Sequence, residues 1–475
     1  MAKLNGNHYD VVVIGAGMSG LAASIRLAMF DNRVLLLERH NAPGGLNSYY
    51  RLGGYAFDVG LHALTNWVPP GTRGTPLGKI FRQLRISRDT FDLCEQTRSA
   101  IRFPSLTLEF SNDFELFRSQ VALHFPREID AFDRFTQFVR SYHAVNLAPD
   151  SSSAREQIRQ YIANPDLIEM LMCPLLYYGS ARENDMDFGQ FVVLFQAIFL
   201  EGFCRPYEGV RPILRTLLRR AKEVGVERHM SLGVKELESD GQRVRSILLD
   251  NGEVVTANHI VSTIGSNETE CICSDATTSI SADAPTVGRL SFSEVIAILD
   301  INPRELGFEH TIVFFNTDPV MHYERPGGLL DERSGVICVP NNYDFGEREL
   351  PDGVLRVTAQ ANYPLWTALD EASYQEQKNV TTERLLQIAA QVTPKVQPDL
   401  LRQHIRFTDC FTPRTITRFT GHFSGAVYGA PVKVKDGQTR LKNLYLCGTD
   451  QGFLGIVGSM LSGISIVNYH ILKGS

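Results

Sequence analysis

Residues 9–39, YDVVVIGAGMSGLAASIRLAMFDNRVLLLER, decide the fold. The run 11–14 (VVVI) has the unbroken apolarity of a strand buried on both faces of a parallel sheet, and it meets Gly15-Ala16-Gly17-Met18-Ser19-Gly20 without a spacer. Leu21, Ile25 and Ala28 then recur at helical spacing, and 34–37 (VLLL) reads as a second strand ending on Glu38. In such a strand–turn–helix–strand unit each glycine has its own task. Gly15 permits the tight turn, Gly17 lets the backbone approach a pyrophosphate, and Gly20 lets the helix pack closely while its N-terminus faces the anion. Glu38 stands where a carboxylate accepts hydrogen bonds from adenosine ribose hydroxyls. At the helix end, Asp31-Asn32 replaces the usual glycine, with Asn tolerating the left-handed conformation.

Outward from this unit, Gly44-Gly45-Leu46-Asn47 forms a loop on the ligand side of the sheet. It is either a second backbone approach to the dinucleotide or an ordinary turn. The stretch 54–62 (GYAFDVGLH) is a short strand running into a loop that carries Asp58 and His62. From 77 to 203 helical patterns dominate, notably 128–141 and 153–161. The segment 188–203 (FGQFVVLFQAIFLEGF) lines up Phe188, Phe191, Phe195 and Phe199 on one helical stripe and is apolar on its other faces too. It reads as a buried helix, a ligand-pocket wall or a membrane-dipping segment, and is too short for the roughly twenty residues a bilayer span takes. A basic helix, 211–225, precedes short strands at 234–238, 243–250, 253–257 and 259–263, separated by Asp-Gly and Asn-Gly turns. Strands at 294–299 and 355–361, a charged helix over 373–392, and a last strand at 444–447 follow. That strand runs into Gly448-Thr449-Asp450 and then Gly455-Ile456-Val457, which opens a closing helix to 472.

A chain of 475 residues exceeds what one core holds, so two or three structural units are expected. The net charge of -6 argues against a nucleic-acid partner. Eight scattered cysteines, with no CxxC and no zinc-like spacing, read as reduced thiols, and no metal is expected. No apolar signal region precedes the first strand, and the default expectation is a cytoplasmic protein. The closing helix lacks formal charge, but Ser459, Ser462, Ser465 and Asn468 favour packing inside the protein over a membrane anchor.

With the glycine turn, Glu38, Gly44-Gly45, the 57–60 stretch (FDVG), Glu208-Gly209, Thr412 to Thr415, and the 443–462 region in view, the chain resembles the FAD-dependent carotenoid desaturase and isomerase family, within the amine-oxidase-like flavoproteins. Both ends and the middle match, while 77–203 and 290–400 match loosely. The resemblance implies an α/β fold: a Rossmann-like, glutathione-reductase-like FAD-binding domain with an interleaved α+β substrate-binding domain. The FAD domain would comprise 1–76, 205–288 and 408–475, and the substrate domain 77–204 and 289–407. Gly15, Gly17, Met18, Ser19 and Gly20 would hold the pyrophosphate, Glu38 the adenosine ribose, and the backbone of Val234 the adenine, with Arg39 also among the cofactor-binding residues. Gly44, Gly45, Leu46 and Asn47 would face the dinucleotide, although Leu46 replaces an arginine frequent in the family. Gly448, Asp450, Gly455, Ile456 and Val457 would lie against the ribityl chain and the flavin ring, where the helix dipole stabilises negative charge. His62 is similar to a histidine that some members place near the flavin. That implies a catalytic or substrate-orienting role, with a satisfied structural histidine as the plain alternative. Asp58 is expected to fix its turn by accepting backbone N–H groups, or else to pair with His62.

The activity implied is redox chemistry on carbon–carbon bonds of an extended hydrophobic isoprenoid or polyene: desaturation, saturation or isomerisation. Phe191, Phe195 and Phe199 would line the substrate pocket or contact a membrane from its surface. Two rivals stand beside it: an FAD-dependent oxidase of amines or other small molecules, and a non-catalytic prenyl-binding protein similar to the Rab GDP-dissociation inhibitors. The electron acceptor and the oligomeric state are left open by the sequence.

Overall fold

The computed structural model describes residues 4–142, 152–276, 280–281 and 284–474. Two seven-stranded sheets organise them. The first grows from β1 (His8–Ile14), which pairs in parallel with β2 (Val34–Glu38) on one side and with the strand Val254–Ser262 on the other. Val11, Val12 and Val13 are sealed on both faces, which is why the run carries no alternation. Glu227–Met230 extends the parallel set beyond β2, and Leu444–Leu446 extends it beyond Val254–Ser262. The linking helix α1 (Met18–Ala28) packs against the closing helix Gly455–His470. At its end Asp31, not Asn32, takes the left-handed conformation (φ 60°), while the Asn32 amide donates to the Leu27 carbonyl at 3.1 Å. The acid thus makes the turn and the amide caps the helix.

The sequence divides 253–263 into two strands, but the structure has one. Val255 closes an antiparallel meander against Ile247, and Val261 runs parallel to Val13. Asn258 lies at the exposed changeover between half-buried and fully buried pairing.

The second sheet is antiparallel except at one pairing, with strand order Ile405–Phe411, Ser291–Leu299, Gly353–Ala361, Ser334–Cys338, Ile312–Asn316, Ser99–Arg102 and Thr107–Phe110. Its last two strands come from the stretch expected to be helical. Four-residue strands such as SAIR and TLEF are too short to show a period.

Two expected boundaries move. Pro76–Leu84 packs Leu77, Ile80 and Leu84 into the same core as α1, so the chain stays with the first sheet's core past 76. Ile405–Phe411 pairs along Ser291–Leu299, so a cut at 408 would divide a strand of the second sheet.

The 188–203 segment is an α-helix over Phe188–Phe195 that widens into a π-helix over Gln196–Glu201. Phe191, Phe195 and Phe199 are fully buried in an aromatic core, with Phe199 stacked on Phe117 at 4.4 Å between ring centroids. Among the described residues no helix is long and apolar enough to cross a membrane.

Candidate active site

Two cavities meet beneath the glycine turn. One runs past Glu38, Arg39, Gly233 and Val234; the other opens between the two sheets. They share Gly17, Gly45, Leu46, Thr263 and His422, and so form one continuous trough.

The first cavity and the junction are built from backbone. Gly15 takes φ 99°, and a Cβ on Gly20 would lie 1.9 Å from the Gly15 carbonyl oxygen, so the turn and α1 close only with glycine there. A Cβ on Gly17 would meet nothing within 4 Å. The empty space beside it leaves room for an anion such as a pyrophosphate to come against the backbone. No side chain caps α1 at Gly17, and none caps the helix Gly455–His470, which also has no acid in its first turn. Both N-termini therefore offer unpaired N–H groups and positive dipole ends to an anion.

Glu38 shapes the turn by accepting from the N–H groups of Ala16 (2.7 Å) and His40 (2.8 Å). A carboxylate has about four acceptor positions, so capacity remains for ribose hydroxyls. Gly44 donates to the Ala16 carbonyl at 2.9 Å, and Gly44, Gly45, Leu46 and Asn47 all line the trough. The residues present fit a bound dinucleotide.

Met18, Ser19, Gly455 and Ile456 line the inner cavity, while Gly448, Asp450 and Val457 are outside the lining. Asp450 is turned into the protein, where it accepts from the Ser266 N–H (2.7 Å), the Ser266 hydroxyl (2.8 Å) and the Ala430 N–H (2.8 Å). Burial raises its pKa, but Lys433 and these donors outweigh it and hold the carboxyl below its usual range. Burial in turn pushes the Lys433 ammonium down to about 8. Asp450 fastens three segments behind the cavity, and its neighbour Thr449 lines it.

The inner cavity is a chamber walled largely by aromatic and aliphatic side chains. Tyr177 and Tyr178 come from the helix Pro165–Gly179, Phe292 from Ser291–Leu299, and Val427 and Tyr428 from the loop after Phe423–Gly425. Phe292 and Tyr428 meet edge to face at 5.9 Å and 76°, and Tyr177 leans on Phe292 at 6.0 Å. The rings form a packed wall. Phe191, Phe195 and Phe199, expected on that wall, are not in it. They support the helix Pro165–Gly179 from behind, which corrects both the pocket-wall and the membrane-dipping readings for these three side chains.

At the chamber's inner side, His62 Nε2 lies 3.0 Å from Glu294 Oε1 and 3.1 Å from Thr358 Oγ1. Glu294 and Thr358 face each other in register across two strands. Arg356, almost fully buried, donates to Glu294 at 2.6 Å and to the carbonyls of Leu61 and Val59 at 2.8 Å each. Burial raises the Glu294 pKa, yet the charges of Arg356 and His62 outweigh it and hold the carboxyl at about 2. Asp58 is not the partner of His62. Its carboxylate accepts from Arg205 and from the Val210 N–H (3.1 Å).

Glu294, Arg356 and Arg205 were missed in the sequence. For Glu294 and Arg356 the signal available was a lone charge inside each of two apolar strands, SFSEVIAIL and GVLRVTAQA, a placement that is costly unless the charges are paired.

The profile of the flavin-containing amine oxidoreductases matches residues 18–465. The chain is 22% identical over 477 positions to the 4,4'-diapolycopene oxygenase of Methylomonas sp, covering 92% of this chain and 93% of that one. It is 23% identical over 512 positions to the chloroplastic prolycopene isomerase of Arabidopsis thaliana, covering 96% and 81%. Among solved structures, an oxidoreductase from Methanosarcina mazei superposes with a TM-score of 0.67 at 17% identity, covering 96% of this chain and 99% of that one. That last likeness is one of fold.

Proposed function

The chain belongs to the flavin-containing amine oxidoreductase family, with FAD as its cofactor, and from that premise we propose that it acts on carbon–carbon bonds of a hydrophobic isoprenoid or polyene. The observation that carries this reading is the aromatic and aliphatic chamber, continuous with the nucleotide trough and walled by Tyr177, Tyr178, Phe292, Val427 and Tyr428. The names of the two relatives, both enzymes of carotenoid-type compounds, support the same substrate class. FAD, when bound, supplies the two-electron acceptor or donor for hydride transfer. The backbone at Gly15, Gly17 and Gly45 and the ends of the two helices hold the dinucleotide, Glu38 takes its ribose, and the ring wall aligns an extended chain and excludes water. An amine substrate is less well served, because Phe292 and Tyr428 touch and leave no gap between their faces for a cation.

Anaerobic absorbance of the purified holoenzyme, before and after adding phytoene or lycopene in detergent micelles, tests the reading. Bleaching of the oxidised flavin, with a desaturated product on chromatography, is the result for desaturation. A changed product only after chemical reduction of the flavin indicates saturation or isomerisation. No product in either redox state overturns the polyene assignment.

A further inference from the structure

Turning a carbon–carbon single bond into a double bond removes a hydride and a proton, and hydride transfer to a flavin takes up only the first of these in that step. The proton needs an acceptor inside a chamber with mostly apolar walls. Few lining groups qualify. Burial pushes the phenols of Tyr177, Tyr178 and Tyr428 up, so they stay protonated. Glu294, held low by the buried Arg356 guanidinium, is a weak base. His422 sits at the junction with the nucleotide cavity, away from the ring wall, with its Nδ1 3.5 Å from Glu268. His62 is left.

Its geometry suits the task. An ionised carboxylate only accepts, so the ring nitrogen 3.0 Å from Glu294, Nε2, carries the hydrogen and Nδ1 keeps the lone pair. Among the described residues Nδ1 has no partner, and it is not sealed within the packing, while the ring lines the chamber. The backbone is anchored too. The His62 carbonyl accepts from the Tyr343 hydroxyl at 3.0 Å, and Arg356 ties the preceding carbonyls of Val59 and Leu61 to the sheet.

We propose that His62 Nδ1 is the proton acceptor of the chamber, and that Glu294, itself fixed by Arg356, is the positioning residue that sets its tautomer and stabilises the imidazolium. The proposal rests on the carbon–carbon oxidation reading above. With FAD bound, one substrate C–H bond would break with its electron pair, the hydride going to the oxidised flavin. The neighbouring C–H bond breaks with its pair staying behind as the new π bond, and its proton bonds to Nδ1. Two electrons and two hydrogens leave the substrate. The imidazolium returns its proton to water once product departs, and in the reverse direction it is the donor for saturation.

A pH profile can be assigned to this ring. The charged and titratable groups around it are Glu294 and Arg356 on the sheet, Arg205 with Asp58 behind it, Cys338 and Tyr343. Burial pushes the Cys338 thiol up to about 11 and the Tyr343 phenol well up, while Arg356 helps hold Glu294 at about 2, so none of these neighbours changes charge through the neutral range.

The test follows anaerobic flavin bleaching by phytoene against pH in holoenzyme, beside ¹⁵N spectra of histidine-labelled protein without substrate. His62→Gln keeps an amide N–H for Glu294 but removes the base. It is expected to bind flavin normally, to slow bleaching by about 10²-fold, and to lose the acid limb of the profile. Glu294→Gln should move that limb to lower pH, because the imidazolium loses its counter-charge. The ¹⁵N spectrum of the wild type should show the hydrogen on Nε2. Bleaching by His62→Gln at the wild-type rate and with the wild-type limb overturns the proposal, as does a hydrogen on Nδ1. A wild type that never bleaches with phytoene overturns the oxidation reading instead, and the tautomer is still decided by the ¹⁵N spectrum.

Discussion

The two halves of the trough are made of different material. The nucleotide half is backbone: a glycine turn, two helix ends without side-chain caps, and a second glycine loop bonded to the first. The chamber half is side chain: rings and a buried charge network brought together by strand register and by a helix braced on an aromatic core. A backbone site tolerates few changes at the positions where side chains must be missing. A side-chain site tolerates change until a packed group loses its neighbour.

Three substitutions sharpen that contrast, ordered by their effect on stability. Gly20→Ala comes first, since its methyl would stand 1.9 Å from the Gly15 carbonyl oxygen, a backbone atom fixed by β1 and α1. The cost should exceed the roughly 1–3 kcal/mol of ordinary overpacking, and the variant is expected to be insoluble or unfolded by circular dichroism. A soluble variant with native Tm would mean that the turn relaxes freely. Phe195→Ala comes second. It removes a fully buried ring that packs against Phe135, Phe191 and Phe199, and should cost about 3–5 kcal/mol in denaturant unfolding. Because Phe195 is not on the chamber wall, the surviving folded fraction should keep its flavin and its product. A changed product with unchanged stability would return this ring to the pocket.

The same contrast explains what could be read from the sequence. Gly15, Gly17, Gly20 and Glu38 lie within one local unit, and each absent side chain leaves a mark at a fixed spacing. The strands around them were legible because two-faced burial leaves an unbroken apolar run. His62 could be suspected, but its partner Glu294 lies 232 positions away and is joined to it only by folding of the second sheet. Nothing local announces such a register. The phenylalanines at 191, 195 and 199 were legible as buried and not as to what they bury against, since apolarity on every face gives no direction. Ser99–Arg102 and Thr107–Phe110 failed for the opposite reason, being strands too short to carry a period.

Gly17→Val has the smallest expected effect on the fold and separates the two kinds of site most cleanly. Gly17 has φ -70° and ψ -179°, extended backbone that a β-branched residue adopts readily, and its Cβ direction is empty. Losing glycine at the cap of α1 should cost about 1 kcal/mol, so the apoprotein is expected to keep its far-ultraviolet spectrum and, within a few degrees, its Tm. The valine methyls would nonetheless occupy the space beside the turn where a pyrophosphate must approach the backbone. The purified variant should therefore be colourless, and added FAD should not raise its Tm, whereas the wild-type apoprotein should be stabilised as ligand binding to the folded state requires. Full flavin occupancy in Gly17→Val would remove the pyrophosphate from this turn and with it the distinction between a backbone half and a side-chain half of the trough.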